Sequence, residues 1–254
     1  MFGSTGFMVI ILLSLLVFAV PERLKYWFTL ALTVAGISIT TAWSAGILSG
    51  SVQAREIPLF TPAGGTSVVL VIDTLTAYFT LVINITVLIG FLYARGYLEP
   101  YRARMNALRF SIHYFSYLWL WLSMVMVVMV RDGLPFLIVW EIMALSSFFL
   151  VIFDAEDRNI MKTGISYLIQ MHVGMFFILV AFLLVQKDTG RMSFDALGEY
   201  FAGNRNLPLF FLFFIGFAIK AGFIPLHTWL PEAHPAAPSH VSGVMSGVMI
   251  KMGI

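Results

Sequence analysis

The stretch Leu209–Lys251, LFFLFFIGFAIKAGFIPLHTWLPEAHPAAPSHVSGVMSGVMIK, decides the fold class of this chain. Its first half is apolar yet carries Lys220, and a charge inside about 20 apolar residues costs on the order of 3 kcal/mol by membrane-insertion scales. Gly222 and Pro225 follow closely, so the pattern predicts a transmembrane helix that breaks just after the lysine. Ionisable residues at such breaks are typical of ion paths.

The composition of the chain supports the same class. Of 254 residues, 60% are hydrophobic and 11% are charged, and the mean hydropathy is +0.92. These values predict an all-α fold, a polytopic bundle of transmembrane helices. Because cysteine is absent, the chain has no thiolate metal cluster, cysteine nucleophile or disulfide. The net charge of +2 does not indicate nucleic-acid binding, since the basic residues lie in short loops.

The lengths of the apolar runs and the polar loops between them predict about eight spans, the seventh of them broken. They cover residues 4–20, 27–50, 68–94, 110–130, 134–153, 163–185, 208 to the break at 225, and 238–254. The first is interpreted as a retained span, because no basic segment precedes it as in a signal peptide. Between the sixth and seventh spans, an amphipathic segment is expected at the membrane interface. Its apolar residues are Phe194, Leu197, Tyr200 and Phe201.

Basic residues are distributed unevenly between the two sets of loops. One set carries Arg23, Lys25, Arg95, Arg102, Arg104, Arg109, Arg158 and Lys162, and the other carries Arg55, Arg131, Lys187, Arg191 and Arg205. The positive-inside rule makes the richer set cytoplasmic and places the N-terminus outside. We therefore expect a multi-pass protein of a prokaryotic plasma or inner membrane.

A second ionisable residue, Glu141, lies in the apolar fifth span and has the opposite charge to Lys220. Two such charges are costly apart and stabilise each other together. We therefore predict a coupled Glu141–Lys220 pair near mid-membrane, which shares one proton and can act as a switch. The alternatives are a neutral Glu141 bonded to a neighbouring helix and a Lys220 that extends to the interface. His172, in the middle of the sixth span, could join the pair.

The segment after the break carries three histidines. His227 and His234 lie among prolines that exclude one regular helix, and His240 opens the eighth span. Non-helical backbone at membrane depth lines protein or a watery cavity, so a hydrated cavity is expected beside Lys220. Histidine suits proton relay, although each of the three could also be a structural hydrogen-bonding group. Their spacing matches no helical pair of metal ligands, and no metal site is predicted.

Helical spacing also predicts one common face along the eighth span, formed by His240, Val244, Gly247 and Lys251. Lys251 would then lie about three helical turns after His240 on the same face of the helix. Asp73, near the start of the third span, is expected to be an interfacial or helix-start carboxylate.

Two segments carry a family resemblance, VWEIMALSSFFLVIFD at 139–154 and GFAIKAGFIPLHTWLPEAHPAAPSHVSGVMSGVMIKMGI at 216–254. They resemble the antiporter-like, proton-translocating membrane subunits shared by respiratory complex I, Mrp cation/proton antiporters and energy-converting membrane-bound hydrogenases. The PEAHPAAPSHVS segment is most similar to the hydrogenase branch, including the formate hydrogenlyase membrane subunit. The resemblance extends from about residue 68 to the end of the chain.

The resemblance implies a specific organisation and function. Residues 1–109 would hold spans one to three, and residues 110–254 a first antiporter-like unit of spans four to eight. It implies a Glu141–Lys220 pair and a polar axis that continues through Lys251. Such a subunit is a non-catalytic part of an oxidoreductase complex and binds no cofactor. Other membrane subunits are its partners, and peripheral redox subunits with iron–sulfur clusters drive it.

One departure from the family concerns its second half. Family members usually continue into an inverted copy of the five-helix unit, whereas this chain stops inside the eighth span at Ile254. We therefore expect that the polypeptide does not pump alone. Lys251 should point to a partner chain or a continuation of the polypeptide, and helices should cover the face formed by Gly243 and Gly247.

The residues named above are also compatible with two other functions. A sodium/proton antiporter subunit would share every residue named above, although the scarcity of clustered carboxylates favours protons. A non-conducting structural subunit would keep the fold without needing costly ionisable residues within it. The presence of Glu141, Lys220 and Lys251 therefore favours the proton-translocating function.

Overall fold

The computed structural model describes residues 4–60, 68–154, 156–203 and 206–254. The helices are α1 (Ser4–Ser14), α2 (Glu22–Leu48), α3 (Thr74–Leu98), α4 (Ala107–Met129), α5 (Gly133–Val151), α6 (Arg158–Thr189), α7 (Phe194–Gly203), α8 (Leu207–Ala221), α9 (Leu230–Ala236) and α10 (Ser239–Val244). Short 3₁₀ turns extend several of them, at Leu15–Phe18, Glu99–Ala103 and Ile152–Asp154. A π-helical turn, Met245–Met249, and a 3₁₀ turn, Ile250–Gly253, prolong α10. Two strands, β1 (Arg55–Phe60) and β2 (Val68–Ile72), form a hairpin.

The membrane helix bundle predicted from composition is confirmed. Within the described residues, five helical segments are long and apolar enough to cross a bilayer: Glu22–Leu48, Thr74–Ala103, Ala107–Met129, Gly133–Asp154 and Arg158–Thr189. Two apolar helices, Gly6–Phe18 and Leu207–Ala221, are shorter. Large apolar side chains such as Ile89 and Phe176 are more than half exposed, as expected for residues that face lipid. The total of eight spans stays a prediction.

The start of the third span was predicted wrongly. Val68–Ile72 is a strand that pairs antiparallel with β1, Arg55 opposite Ile72 and Ile57 opposite Leu70. Its sequence, VVLVI, is almost entirely β-branched and favours the extended backbone. The helix begins only at Thr74, where Asp73 caps it by accepting a hydrogen bond from the Thr76 N–H at 2.8 Å. The chain is therefore mostly helical with one hairpin, rather than purely helical.

Asp73 is a helix-start carboxylate, as predicted, and it also joins two loops. Its Oδ2 lies 2.5 Å from Nη2 of Arg131, in the turn between α4 and α5. Partial burial acts to raise the pKa of Asp73, but the hydrogen bonds of Thr76 and the charge of Arg131 outweigh it and lower the pKa below its ordinary value. The carboxylate therefore holds the start of α3 against the end of α4.

Of the basic residues used to predict the orientation, one lies in a helix rather than a loop and another lies outside the described residues. Lys25 was assigned to a loop, but α2 begins at Glu22, earlier than predicted, and Lys25 is buried within it. Its Nζ donates to the Ala107 carbonyl at 2.8 Å and also contacts the Ser111 hydroxyl. Arg205 lies outside the described residues. The remaining basic residues of the richer set still include four near the turn between α3 and α4: Arg95, Arg102, Arg104 and Arg109.

The amphipathic segment forms α7, but its apolar face packs on protein. Phe194 contacts Phe136 of α5 and Phe182 of α6, with ring centroids 5.0 and 5.3 Å apart. Leu197, Tyr200 and Phe201 are partly buried against the same core. The helix therefore closes one end of the α5–α6–α8 group, whereas the sequence led us to expect contact with the membrane interface.

Helices α6 and α8 cross closely because both carry a glycine at the contact. A Cβ added at Gly174 would lie 3.0 Å from the Gly216 carbonyl oxygen, and one added at Gly216 would lie 2.7 Å from the Gly174 oxygen. Only glycine allows two backbones to approach this far. The crossing fixes the position of the last turn of α8, where Lys220 lies.

Candidate proton-transfer site

The predicted break after Lys220 is present and has defined geometry. Gly222 adopts a left-handed backbone, φ +69°, and its N–H donates to the Ile219 carbonyl at 3.3 Å. The Phe223 N–H donates to the Ala218 carbonyl at 3.0 Å. This pair of bonds is the Schellman arrangement, which needs a residue without a Cβ penalty at the left-handed position. The helix therefore ends at Ala221, one turn before Pro225.

A tryptophan from beyond the break satisfies part of the open helix end. Trp229 is fully buried, and its indole Nε1 donates to the Ile219 carbonyl at 2.8 Å. Helix ends leave carbonyls without an intrahelical partner, which is costly away from water. The indole therefore stabilises the end of α8 directly beside Lys220.

Lys220 is 1% exposed, and its Nζ has no hydrogen-bond partner in the described chain. The ammonium lies over the rings of Trp140 and Tyr167, at 5.8 and 5.9 Å from their centroids. Ring faces attract a cation weakly, and the negative end of the α8 dipole acts in the same direction. The alternative that Lys220 extends to the membrane interface is therefore excluded by its position.

Glu141 contacts His172 directly. Its Oε1 lies 2.8 Å from His172 Nε2, and its side chain is mostly buried, with 21% exposed. His172 Nδ1 lies 2.8 Å from the Leu168 carbonyl, so this nitrogen carries a proton and donates. The two atoms are close enough for an ion pair when His172 is protonated, although neither Glu141 oxygen accepts a hydrogen bond from a described residue in this geometry.

The predicted Glu141–Lys220 pair does not form a direct ion pair. The two charges interact electrostatically, but the contact that Glu141 makes is with His172. Trp140, which precedes Glu141 on α5, lies against Lys220. The structure thus brings Glu141 and His172 together and places Lys220 near them without contact.

The histidines after the break have different surroundings. His227 is half-buried, and its Nδ1 has no partner among the described residues. His234 contacts the Ser242 hydroxyl through Nδ1, and that hydroxyl also donates to the His234 carbonyl at 2.9 Å, which ties α9 to α10. Thr228 donates to Gln170 at 2.9 Å and holds the loop on α6. Within the described ranges, no three histidine or carboxylate side chains are grouped as a metal would need.

His240 has a partner that the sequence did not reveal. Its Nε2 lies 2.9 Å from Nε2 of His113 on α4, and both side chains are buried. The two remaining ring nitrogens, both Nδ1, have no partner in the described chain. His113 lies in the aromatic run HYFSYLWLW, where a lone histidine gives no spacing pattern. Its helix, α4, has the largest buried share of the five candidate spans, and this burial singles out His113 only once the structure is known.

Three of the four residues predicted to share a face of the eighth span adjoin α3. The His240 carbonyl oxygen and the Val244 side chain lie against Gly90, and Gly247 lies against Thr86. Lys251 is exposed, and its Nζ donates to the Ser246 carbonyl. The π-helical turn Met245–Met249 changes the rotation per residue before Lys251. Helix α3 therefore covers Gly247, whereas a Cβ at Gly243 would meet no described atom within 4 Å.

A cavity of about 550 Å³ lies beside the break, but Lys220 is not on its wall. It opens between α8, the start of α3, the end of α4 and the final turn of the chain. Its lining is mainly apolar and includes Phe213, Phe217 and Phe223, with Arg131 and Lys251 as charged members. This cavity is reached by Lys251 rather than by Lys220, so the hydrated cavity expected beside Lys220 stays a prediction.

Comparisons with known proteins agree with this architecture. Hydrogenase-4 component B of Escherichia coli (strain K12) is 36% identical over 234 residues, which cover 89% of this chain and 34% of that protein. NADH-ubiquinone oxidoreductase chain 4 of Arabidopsis thaliana is 28% identical over 188 residues, 72% of this chain and 35% of that protein. The chain therefore spans about a third of the length of these curated relatives.

Two solved complexes share the fold. A chain of the membrane-bound sulfane sulfur reductase, an archaeal respiratory membrane complex, superposes with a TM-score of 0.81 at 20% identity over 98% of this chain and 50% of that chain. A chain of the Mrp complex from Dietzia sp. DQ12-45-1b superposes with a TM-score of 0.77 at 20% identity over 99% of this chain and 46% of that chain.

The transmembrane family model described as NADH:quinone oxidoreductase/Mrp antiporter matches residues 131–254, which include Glu141, the α8 break and α10. Residues 131–254 are therefore similar to the NADH:quinone oxidoreductase/Mrp antiporter transmembrane family.

Proposed function

We propose that the chain is a proton-translocating membrane subunit, or the N-terminal half of one, in a redox-driven respiratory complex. The observation that carries the proposal is the 2.8 Å contact between Glu141 and His172, near the buried Lys220, whose Nζ has no partner among the described residues. Buried ionisable groups are rare in spanning helices unless they serve transport. Homology to a hydrogenase-4 component and to complex I chain 4 supports the same function.

The geometry suggests how one proton could displace another. When Lys220 is protonated, its charge favours the ionised form of Glu141, so a proton on Glu141 moves to His172. The imidazole lies at the surface of the described chain, so the next proton acceptor is a group outside it. When Lys220 loses its proton, Glu141 no longer benefits from the positive charge and takes a proton again. Each step forms one N–H or O–H bond and breaks another, and no redox change occurs within this chain.

The break supports this cycle in two ways. It places Lys220 in the last turn of α8, where the dipole favours a cation. It also frees the segment after Gly222 to lie across α6, where Thr228 bonds to Gln170. Lys220 is thus held by the fold rather than by a permanent counter-ion, and its charge can change without breaking an ion pair.

The partners and location are part of the proposal. The relatives are subunits of multi-subunit membrane complexes, so partner membrane subunits are expected for this chain. We extend this to peripheral redox subunits with iron–sulfur clusters, and to a plasma membrane in which the N-terminus faces out.

Reconstitution into proteoliposomes tests the function. The subunit, together with the subunits that co-purify with it, is sealed in vesicles with a pH-sensitive dye, and a potassium diffusion potential provides the driving force. Glu141→Gln and Lys220→Ala should each lower proton flux by about 100-fold, the range in which positioned proton-transfer groups act. The exposed Glu232→Gln and Lys187→Ala serve as matched controls and should leave flux unchanged.

The same vesicles separate the alternatives. Uptake of radioactive sodium that disappears with Lys220→Ala would identify a sodium/proton antiporter subunit instead. Vesicles that carry correctly folded protein and conduct neither ion would indicate a structural subunit, and the proposal would then be wrong.

A further inference from the structure

We propose that His113 is the proton-transfer partner of His240, and that the two rings form a second transfer site, separate from Glu141 and His172. The inference rests on the proposed proton translocation. His113 belongs to α4 and His240 to α10, and their Nε2 atoms are 2.9 Å apart. Both side chains are almost completely buried, at 1% and 3% exposure. The ring centroids are 5.0 Å apart.

The contact has a fixed proton requirement. At 2.9 Å one Nε2 must donate and the other must accept. When both rings are neutral, the donor ring keeps a bare Nδ1, and the acceptor ring carries its proton on Nδ1. A proton that binds the bare Nδ1 lets the shared proton cross to the second ring, and the second ring then releases its own Nδ1 proton. One N–H bond forms and one breaks on each ring, so the pair passes one proton and reverses its tautomers.

A purely structural histidine pair would leave two buried polar atoms unsatisfied, which lowers the stability of the fold. Both Nδ1 atoms are buried and lack a partner among the described residues. Each unsatisfied buried polar group costs about 1–3 kcal/mol, and such exceptions are rare unless they serve chemistry or hold an ordered water. A relay needs both Nδ1 atoms open to receive and release protons, which is the arrangement seen.

Three elements supply the neighbours of the pair. The ring neighbours are aromatic, with Tyr97 from α3, Tyr114 and Tyr117 from α4, and Phe153 from the turn after α5. Among the described contacts of either ring, no charged side chain appears. Tyr117 donates its hydroxyl to the Val87 carbonyl at 2.9 Å and is committed to α3.

Tyr97 begins a row of side chains that leads outward. Its ring centroid is 5.5 Å from that of His240, and Tyr101 stacks on it at 5.8 Å. Arg104 lies 4.9 Å over Tyr101 and pairs with Asp154 at 3.3 Å. The row therefore runs from the buried pair to a carboxylate and a guanidinium at the α3–α4 turn. This is the end of the bundle that the charge distribution assigns to the cytoplasm.

Close packing by Gly90 fixes His240 in this position. A Cβ at Gly90 would lie 3.2 Å from the His240 carbonyl oxygen and 2.5 Å from the Tyr117 hydroxyl. The absence of a side chain lets α3 approach both α4 and α10. The histidine contact is thus set by three helices that converge at one point.

The first test detects the shared proton directly. The intact subunit, in its membrane complex and labelled with ¹⁵N-histidine, is placed in lipid for solid-state NMR. The sequence has five histidines, so few signals arise from it. A ¹⁵N–¹⁵N coupling across the Nε2–Nε2 hydrogen bond should be present and should vanish in His113→Phe. No coupling in the wild type would overturn the inference.

The second test separates transfer from structure. In the proteoliposome assay, His113→Gln keeps a group that can donate to or accept from His240 but cannot pass a proton, whereas His113→Phe removes both abilities. We expect both variants to lower proton flux about tenfold or more, as loss of a proton-transfer group does. Ser123→Ala, another buried polar residue of α4, is the control and should retain flux.

The outcomes distinguish the inference from the proposed function. Full flux in His113→Gln with low flux in His113→Phe would mean a structural hydrogen bond and would overturn the inference alone. Full flux in both variants would do the same. If the wild type conducts no protons, the proposed function fails and the inference fails with it, whatever the NMR coupling shows.

Discussion

The chemistry of this protein depends on residues whose charges are not cancelled by a fixed partner. Lys220 lies against aromatic rings rather than a carboxylate, and Glu141 lies 2.8 Å from a histidine that is charged only when it is protonated. A tight lysine–glutamate ion pair would hold both charges and resist change. Separation of the two leaves Lys220 free to gain and lose a proton while it still influences Glu141.

This reasoning predicts that charge alone cannot replace Lys220. Lys220→Arg keeps a positive charge, but a guanidinium does not release its proton in proteins. Proton flux in vesicles should therefore fall about 100-fold, the scale of a lost proton-transfer group, although the protein folds and assembles. Lys187→Arg, at an exposed position, provides the matched control. Near-normal flux in Lys220→Arg would mean that Lys220 acts only as a fixed charge.

A second prediction concerns Asp73 and pH. Because hydrogen bonds and Arg131 hold its pKa below the ordinary value of 3.8, the ionised carboxylate stabilises the folded state above that value. The contribution is lost as the pH falls below 3.8 through the folded-state pKa. Asp73→Asn keeps a helix cap but removes the charge, so wild type and variant should differ in melting temperature at pH 7 and converge as the pH falls through the folded-state pKa. A difference that does not shrink as the pH falls below 3.8 would contradict this assignment.

Two elements were recognisable from the sequence for physical reasons, and two were not. The α8 break follows from Gly222 and Pro225 after an apolar run, and the role of Asp73 as a helix-start carboxylate was predicted, although the span itself was begun too early at residue 68. Strand β2 was taken for part of a span because an apolar run of five residues carries no helical or strand period of its own.

The position of Lys251 was missed for a different reason. An α-helical projection assumes a constant rotation per residue, and the π-helical turn Met245–Met249 breaks that assumption. Contacts between distant helices, such as His113 with His240, depend on how the bundle packs. The sequence pattern of a single segment cannot show which side chains of two distant helices meet.

At the level of helices, Trp229 should be essential for the end of α8. Trp229→Phe keeps most of the buried ring but leaves the Ile219 carbonyl without its indole donor. The Gly222 N–H still donates to this carbonyl, so the loss is that of one hydrogen bond, about 0.5–1.5 kcal/mol, and thermal unfolding in detergent should occur a few degrees lower. Trp27→Phe, at a half-exposed position, is the control. Equal melting temperatures for the two variants would show that water replaces the indole at no cost.

The α6–α8 crossing gives a second prediction at this scale. Gly216→Ala places a methyl group 2.7 Å from the Gly174 carbonyl oxygen and against Ile178. The helices must move apart, which costs about 1–3 kcal/mol and displaces Lys220. Both stability and proton flux should fall. Gly198→Ala, where a Cβ meets no described atom within 4 Å, should leave both unchanged, and a normal flux in Gly216→Ala would mean that the crossing does not position Lys220.

The whole molecule has two ends with different charge, and this asymmetry gives its orientation. The α3–α4 turn carries Arg95, Arg102, Arg104 and Arg109. Several are paired with acids, Arg104 with Asp154 and Arg109 with Glu156, but orientation during insertion depends on the basic residues of short loops and little on acidic ones. This end should therefore lie in the cytoplasm, together with the row of side chains that leads to His240.

The absence of cysteine makes this orientation directly measurable. Ser49 follows the C-terminal end of α2, Ala103 lies in the turn before α4, and both are exposed. Because α3 separates them, they lie on opposite sides of the bilayer. In intact cells a membrane-impermeant maleimide should label Ser49→Cys, and it should label Ala103→Cys only after permeabilisation. The reverse pattern would place the N-terminus inside, and protons from the cytoplasm would then have to reach Lys220 from the end that carries the hairpin and Arg131.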